Sequence, residues 1–227
     1  QGSARTPPQT GIEYVNCDLC GADDARTVFR LPVLAHQVGQ YNRNVWDVVQ
    51  CQQCGLIYEN PRPDAAALRA FYNFDHPADK SFVENWFINQ EDLNRGTWRQ
   101  ILRAMRRFCS SGTLLDVGCG AGSFLVEARR LGYQVIGQEP SPFFAEHCRT
   151  QQGLQVYHGY LEELALEEAR YDCVTAFDVV EHHPSPVRLL HEIRRLVKAD
   201  GLVVVSTHDI GNFWSRLHKD RWRHLYA

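Results

Sequence analysis

A glycine-rich loop that follows an apolar segment constrains the fold of this chain more than any other feature. Residues 114–122 are Leu-Leu-Asp-Val-Gly-Cys-Gly-Ala-Gly, so Asp116 stands just before the first glycine. Ser123 to Leu131 then carries apolar residues at the i, i+3, i+4 and i+7 spacing of a helix packed on a sheet. This order of strand, glycine loop and helix predicts a ligand-binding turn at the carboxyl end of a strand.

The acid in this loop indicates the charge of the ligand. In a dinucleotide site the loop amides and the helix N-terminus receive a pyrophosphate, which a carboxylate at Asp116 would repel. The third glycine also falls one position early for the dinucleotide fingerprint, where Ser123 stands. A cationic ligand suits Asp116 better. S-adenosylmethionine carries a sulfonium and an ammonium, and Gly118, Gly120 and Gly122 let the backbone close on such a ligand.

Two further segments point to the same site. Residues 133–137 are predicted to form the next strand, and Glu139 closes it about 20 residues after the loop, where an acid can accept hydrogen bonds from both ribose hydroxyls. Residues 177–182, Phe-Asp-Val-Val-Glu-His, follow a later apolar segment. With these motifs, residues 111–210 resemble class I S-adenosylmethionine-dependent methyltransferases. The resemblance implies an α/β fold with a doubly wound, mostly parallel, Rossmann-like sheet.

The resemblance also implies which residues hold the cofactor. After the third strand the family often has an acid that touches the adenine amino group, whereas this chain has Tyr160. Adenine recognition is therefore expected from backbone groups and an aromatic face. The predicted cofactor-binding residues are Asp116, Gly118, Cys119, Gly120, Gly122, Glu139, Pro140, Tyr160 and Phe177.

The loop after the fourth strand is where catalysis is expected. Methyl transfer is an in-line displacement, for which the enzyme supplies alignment and, when the nucleophile carries a proton, a base. A histidine with a near-neutral pKa suits that role. His182 matches the histidine of the family's Glu-His motif, and His183 stands at a place more often apolar there. Both are candidate catalytic bases, and helix capping or packing beside the cofactor is the alternative role.

Four of the eight cysteines form two matched pairs. Cys17 and Cys20, like Cys51 and Cys54, are separated by two residues and followed by glycine, which predicts a tetrahedral zinc site of four thiolates. The segment between the pairs is long, but doubling a loop costs only about 0.6 kcal/mol, against about 10 to 16 kcal/mol for a structural zinc. With four cysteine ligands no coordination position stays open, so the zinc is expected to be structural. Two disulfides are the alternative.

Composition excludes several classes of protein. The net charge of -3 gives no electrostatic footprint for nucleic acid. No unbroken apolar run approaches the roughly 18 residues needed to span a bilayer, so no membrane partner is expected. The remaining cysteines show no pairing logic, which predicts a reducing, cytoplasmic setting.

The chain is expected to contain four regions. Residues 1–11 are predicted to be a tag remnant with a disordered leader, 12–60 a zinc ribbon, 61–110 a helical linker or lid, and 111–227 the methyltransferase core. In the core, helices are expected at 161–168 and 186–198 and a fifth strand at 202–206. The class I sheet needs two strands more, so the sheet is expected to be C-terminally incomplete. Its exposed edge is expected to pair either with a second chain, in a homodimer, or with the aromatic segment from Phe213 to Tyr226.

A zinc ribbon followed by this core resembles a bacterial group that methylates small molecules, including nucleotide-linked sugars and natural-product intermediates. S-adenosylmethionine-dependent methyl transfer to such an acceptor is the predicted function. An RNA methyltransferase that grips RNA with the ribbon is the alternative, against which the acidic net charge argues. A non-catalytic, cofactor-binding scaffold is the second alternative, against which Asp116, the glycine loop and Glu139 argue.

Overall fold

The computed structural model of the chain describes residues 11–33, 44–73, 91–213 and 217. It divides into two compact units, residues 1–69 with 208–227 and residues 70–207. The predicted tag remnant and leader lie outside the described residues, apart from Gly11. Within the described ranges, no helix has both the length and the apolar character that crossing a membrane requires.

The first unit contains two small antiparallel sheets. Strand β1 (Ile12–Glu13) pairs with β5 (Arg62–Pro63), while β2 (Ala25–Pro32), β3 (Val45–Cys51) and β4 (Ile57–Glu59) form the second sheet in that order. Because alternate residues of a strand point to opposite faces, one face of this sheet is apolar. Its small core consists of Leu31, Val33, Trp46, Val48 and Ala67.

The second unit is built on a parallel sheet of five strands, β6 (Gly112–Val117), β7 (Tyr133–Glu139), β8 (Gln155–His158), β9 (Tyr171–Phe177) and β10 (Val197–Ser206). Their order is β10-β9-β6-β7-β8, and each neighbouring pair is parallel. The direction of winding reverses between β6 and β9. Ligands bind at such a switch point, beyond the carboxyl ends of the strands.

Helices cover both faces of this sheet. They are α2 (Glu91–Met105), α3 (Ser123–Arg130), α4 (Pro142–Thr150) and α5 (Pro186–Leu196), preceded in the chain by α1 (Ala65–Tyr72). Leu114 packs with residues of α2, α3 and α4, whereas its neighbour Leu115 packs with residues of α5. Successive side chains of β6 thus enter cores on opposite faces, which confirms the doubly wound α/β fold.

Two elements differ from the sequence-based expectation. The helix expected at 161–168 is only a single 3-10 turn, Leu161–Glu163. Glu163 and Glu167 would stand four residues apart in a longer helix and would repel each other. The predicted helix at 186–198 ends at Leu196. Strand β10 begins at Val197, five residues before its predicted start at position 202, and its pairing with β9 shifts register between Val197 and Leu202.

Candidate cofactor and catalytic site

The glycine loop after β6 combines a tight contact with an open space. At Gly118, where φ is 66°, an added Cβ would lie 2.6 Å from Cγ2 of Val179 in the loop after β9. At Gly120, where φ is 52°, an added Cβ would meet nothing within 4 Å. Positive φ favours glycine at both positions. The loop therefore packs against the protein at Gly118 and leaves room for a ligand at Gly120.

Gln138 supports this loop from the end of β7. Its side-chain oxygen accepts a hydrogen bond from the backbone N–H of Gly118 at 3.1 Å, and its amide nitrogen donates to the Gly159 carbonyl at 2.6 Å. The side chain is buried. One residue thus connects the loops that follow β6 and β8. Sequence reasoning missed it, although a polar residue in an otherwise apolar strand, just before an acid, was a usable signal.

Glu139 ends β7 with its carboxylate held by two backbone amides. The N–H of Gly120 donates to Oε2 at 2.8 Å, and the N–H of Ser141 donates to Oε1 at 2.9 Å. Burial raises the pKa of Glu139 to about 7, although the two amides act in the opposite direction. Because a carboxylate oxygen accepts more than one hydrogen bond, each oxygen keeps acceptor capacity for a ligand hydroxyl.

Asp116 lies beneath the loop, only 3% exposed. The hydroxyl of Thr175 on β9 donates to its Oδ1 at 2.6 Å. Burial, together with the nearby charge of Glu139, raises the pKa of Asp116 to about 7, although the hydrogen bond from Thr175 acts in the opposite direction. The site thus holds two buried carboxyls whose ionisation a positive charge would favour.

The other predicted cofactor residues lie around the same strand ends. Cys119 donates its backbone N–H to the Gln138 carbonyl at 3.0 Å, and Pro140 stands between Glu139 and Ser141, the N-cap of α4. Phe177 ends β9 in an aromatic group, with ring centroids 5.3 Å from Trp98 and 4.8 Å from Phe124.

Tyr72 is a further residue of this region that sequence reasoning missed. It packs with Ala121 of the glycine loop and with Phe144 of α4. Burial raises the pKa of Tyr72, and the charges of Glu139 and Tyr160 raise it further, so the three side chains share one neighbourhood. The apolar spacing of α1 gave no sign that its last residue would reach the predicted cofactor site.

The loop after β9 holds the two candidate catalytic histidines. It begins at Asp178, whose φ is 54° and whose Oδ1 accepts a hydrogen bond from the Ser206 hydroxyl at 3.0 Å. His182 closes a 3-10 turn, donating its backbone N–H to the Val179 carbonyl at 3.0 Å. Its side chain is half-buried.

His183 is held through both ring nitrogens. Nε2 lies 2.7 Å from Oε1 of Glu162, and Nδ1 lies 2.9 Å from the carbonyl oxygen and 3.1 Å from the backbone nitrogen of Ser185. The hydrogen bond from His183 lowers the pKa of Glu162. The pair connects the turn after β8 to the loop after β9, so the ring of His183 is occupied by structural contacts.

The four paired cysteines converge in the first unit. Sγ of Cys17 lies 3.4 Å from that of Cys54, and Sγ of Cys20 lies 3.6 Å from that of Cys51. All four sulfurs lie within 4.8 Å of one another. These separations exceed the roughly 2.05 Å of a disulfide bond. They are close to the edge of about 3.8 Å in a tetrahedron with Zn–S bonds of about 2.3 Å.

Backbone amides favour the thiolate form of Cys51. The N–H of Cys54, followed by that of Gln53, lowers the pKa of Cys51 to about 6. Each pair also closes a tight turn, because Gly21 donates to the Cys17 carbonyl at 2.8 Å and Gly55 donates to the Cys51 carbonyl at 3.0 Å. The cluster therefore has the donor set, spacing and turn geometry that suit a thiolate-bound metal.

Comparison with known proteins finds a match to a family described as "Methyltransferase domain" over residues 89–226. A ubiquinone biosynthesis O-methyltransferase of Azorhizobium caulinodans is 33% identical over 166 residues, which cover 71% of this chain and 61% of that protein. One of Roseobacter denitrificans is 38% identical over 100 residues, covering 41% of this chain and 40% of that protein. The chain thus spans between 40% and 61% of the length of these curated relatives.

Solved structures of similar fold were also found. A SAM-dependent methyltransferase from Thermotoga maritima superposes with a TM-score of 0.48 at 26% identity, covering 60% of this chain and 66% of that one. An S-adenosylmethionine dependent methyltransferase from Mesorhizobium loti superposes with a TM-score of 0.42 at 24% identity, covering 48% and 51%.

Proposed function

The chain belongs to the methyltransferase-domain family, and we propose that it transfers a methyl group from S-adenosylmethionine to a small-molecule acceptor. The observation that carries this proposal is the pair of buried carboxyls, Asp116 and Glu139, beside the open glycine loop at the switch point of the sheet. When bound, S-adenosylmethionine supplies an electrophilic methyl group on a sulfonium.

The residues present fit that cofactor. Gly120 leaves the space that a Cβ would fill, and Glu139 keeps acceptor capacity for ribose hydroxyls on both oxygens. Asp116 and Glu139 supply the negative charge that a cation needs. The chain's own contribution is therefore to orient the cofactor through the carboxylate of Glu139, which the backbone amides of Gly120 and Ser141 hold in place, and to stabilise the cofactor's positive charge.

The test is calorimetric titration with S-adenosylmethionine at several pH values. Burial raises the pKa of Asp116 and of Glu139 to about 7, and a bound cation favours their ionised forms. Affinity should therefore rise between pH 6 and pH 8 and then level off. The demethylated product lacks the sulfonium charge and should show a weaker rise. Equal pH dependence for both ligands would contradict a direct role of these carboxyls in charge recognition.

A variant separates the ribose contact from general charge effects. Glu139→Ala removes a carboxylate that accepts charge-assisted hydrogen bonds and should cost about 1.5 to 3 kcal/mol of binding free energy. Glu146→Ala removes an acid from the exposed face of α4 and is the matched control. Equal affinities in the two variants would refute the assignment of Glu139.

We infer that the acceptor is a hydroxyl-bearing small molecule and that His182 is the base that removes its proton. The support is that the relatives are named O-methyltransferases and that both ring nitrogens of His183 are engaged in contacts within the protein. His182→Ala should lower turnover by about 10² to 10⁴ with cofactor affinity unchanged. His183→Ala should instead disturb the loop after β9, so a loss of turnover confined to His183→Ala would overturn this division of roles.

We further propose that Cys17, Cys20, Cys51 and Cys54 hold one structural zinc ion. The support is the convergence of four sulfurs within 4.8 Å and the amides that lower the pKa of Cys51. Zinc supplies folding free energy to a small unit of this kind. Elemental analysis should return about one zinc per chain, and protein that is metal-free yet folded would contradict the proposal.

We also propose that the chain consists of a zinc ribbon at 12–60, a linker or lid at 61–110 and a methyltransferase core at 111–227. A cytoplasmic location and a homodimer through the edge of the sheet complete this proposal. The dimer is supported by the position of β10 at one edge and by the partial exposure of Val203 and Val205. Light scattering that finds only a monomer at high concentration would contradict it.

A further inference from the structure

Helix α2 carries a stripe of arginines along one face. Arg95, Arg99 and Arg103 are four residues apart. Arg106 continues the same helical turn, because its backbone N–H donates to the Leu102 carbonyl at 3.0 Å. Like charges spaced four residues apart destabilise a helix. No acid stands three or four residues from Arg99, Arg103 or Arg106 in the sequence, so these three arginines need negative charge from outside α2.

Glu127 on α3 supplies one negative charge. Its carboxylate accepts a hydrogen bond from Nε of Arg99 at 2.8 Å, lies 3.4 Å from Nε of Arg95, and pairs with Arg130. Burial opposes its ionisation, but the hydrogen bond from Arg99 and the charge of Arg130 outweigh it and lower the pKa of Glu127. Glu127 is thus ionised and already shared among three arginines.

Arg103 and Arg106 lie beyond the reach of Glu127. In the part of the chain that the structure describes, no carboxylate forms an ion pair with either of them. The groove that they face has a volume of about 400 Å³ and is lined by Arg99, Arg103, Arg106, Glu127, Arg130 and Leu131. Four arginines against one glutamate leave three positive charges uncompensated. The volume lies within the range of roughly 300 to 1,000 Å³ typical of small-molecule sites.

The chemistry of the groove selects a phosphate. A guanidinium stays charged at any physiological pH, and its planar fork matches two oxygens of a phosphate. Arg103 and Arg130 lie in the last turns of their helices, where a positive charge also interacts favourably with the helix dipole. That effect explains a basic residue at each helix end. It does not require both helix ends to face one groove together with Arg99 and Arg106.

The groove is separate from the candidate cofactor site. Helix α3 begins at Ser123, directly after the glycine loop, and Arg130 is its last residue. A helix of this length spans about 12 Å. Binding of a ligand in this groove therefore does not depend on the proposed methyltransferase activity.

We propose that the groove between α2 and α3 binds a small molecule through a phosphate or diphosphate group. A compact dianion or trianion matches the three uncompensated charges of the groove. A nucleic acid would need a basic surface that follows many phosphates, and the chain as a whole carries a net charge of -3.

The experiment is a titration of the full chain with inorganic pyrophosphate at low salt, followed by calorimetry. The double variant Arg103→Ala/Arg106→Ala should weaken pyrophosphate binding at least tenfold. Arg107→Ala is the matched control, because it removes an exposed arginine that follows Arg106 directly but does not line the groove. Its affinity for pyrophosphate should equal that of the wild type. S-adenosylmethionine affinity should be unchanged in all variants, so failure here is distinguishable from failure of the proposed function.

Three results would overturn the proposal. The first is failure of the wild type to bind pyrophosphate at millimolar concentration. The second is an Arg107→Ala variant that weakens pyrophosphate binding as much as the double variant does. The third is preferential binding of a 20-nucleotide RNA, or of phosphatidylglycerol vesicles, without measurable pyrophosphate binding. That outcome would assign the arginines to a polyanion or a membrane surface instead of a small ligand.

Discussion

Asp116 should lower the stability of the free protein at neutral pH. Its pKa in the folded chain is about 7, raised by burial, whereas the ordinary value is 3.8. Between these values the folded state binds more protons than the unfolded state, so stability falls as pH rises. Because one pKa unit corresponds to about 1.36 kcal/mol, the ionised Asp116 lowers the free energy of unfolding by about 4 kcal/mol above pH 7. About 3 kcal/mol of it develops between pH 5 and pH 8.

Asp116→Asn removes the ionisation but keeps the shape. The amide oxygen can still accept the hydrogen bond from Thr175, while the new N–H₂ group lacks an assured acceptor and costs about 1 to 3 kcal/mol. The stability of the variant relative to the wild type should therefore rise by about 3 kcal/mol from pH 5 to pH 8, and the variant should be more stable at pH 8 by about 1 to 3 kcal/mol. Its affinity for S-adenosylmethionine should fall at both pH values.

The chain's one methionine provides an assay specific to this unit. Met105 is buried in the core cluster that contains Leu114 and Cys173. The urea dependence of its oxidation by hydrogen peroxide reports unfolding of the second unit without interference from the first. The measured quantity is the difference in unfolding free energy between variant and wild type at pH 5 and pH 8.

Asp172→Asn is the matched control. Lys198 and the backbone N–H of Thr113 lower the pKa of Asp172, so this carboxyl is ionised in both states throughout pH 5 to 8. Its stability contribution is lost only as pH falls through that lowered pKa. The effect of Asp172→Asn should therefore be constant over this range. A constant effect for Asp116→Asn as well would refute the argument that burial controls the ionisation of Asp116.

Three further predictions concern other parts of the molecule. Cys51→Ser should lower the zinc content well below one per chain, measured by elemental analysis. Gly118→Ala should destabilise the second unit by about 2 to 4 kcal/mol, because the new Cβ would be strained at a positive φ and would lie 2.6 Å from Val179. The urea dependence of Met105 oxidation measures this loss of stability, and a loss under about 1 kcal/mol would contradict the prediction. Glu162→Gln should lower turnover while leaving cofactor affinity intact, which steady-state kinetics and calorimetry together decide.

The sheet was predictable because its signals are local. The apolar segment before Gly118, the helical spacing after Ser123 and the acid at position 139 each depend on neighbours in the sequence, and together they set strand, loop and strand in order. The paired cysteines were predictable for the same reason. Residues 161–168 were wrongly expected to form a helix, since the hydrogen bond that draws Glu162 toward His183 is a long-range contact.

The supporting residues of the site were not predictable in this way. Gln138 and Thr175 act through side-chain contacts with loops that are distant in sequence, at Gly118, Gly159 and Asp116. A single glutamine or threonine in an apolar strand is compatible with many local structures. Its role follows only when the parallel register places the carboxyl ends of β6, β7 and β9 side by side.

Burial of polar side chains indicates where this chain gives up stability. Such burial is costly unless each group is hydrogen-bonded, so the buried polar residues of a protein are informative. Among the described residues, the buried polar side chains near the carboxyl ends of β6, β7 and β9 are Asp116, Gln138, Glu139, Ser141 and Thr175. The other buried polar side chain in the described part of the chain is Glu127, in the groove between α2 and α3. A neutral replacement of Glu127 would leave its arginines without a counter-charge and would strengthen anion binding in the groove. Glu127→Gln should therefore tighten pyrophosphate binding several-fold while it destabilises the α2–α3 contact, and weaker binding in a folded variant would contradict both assignments.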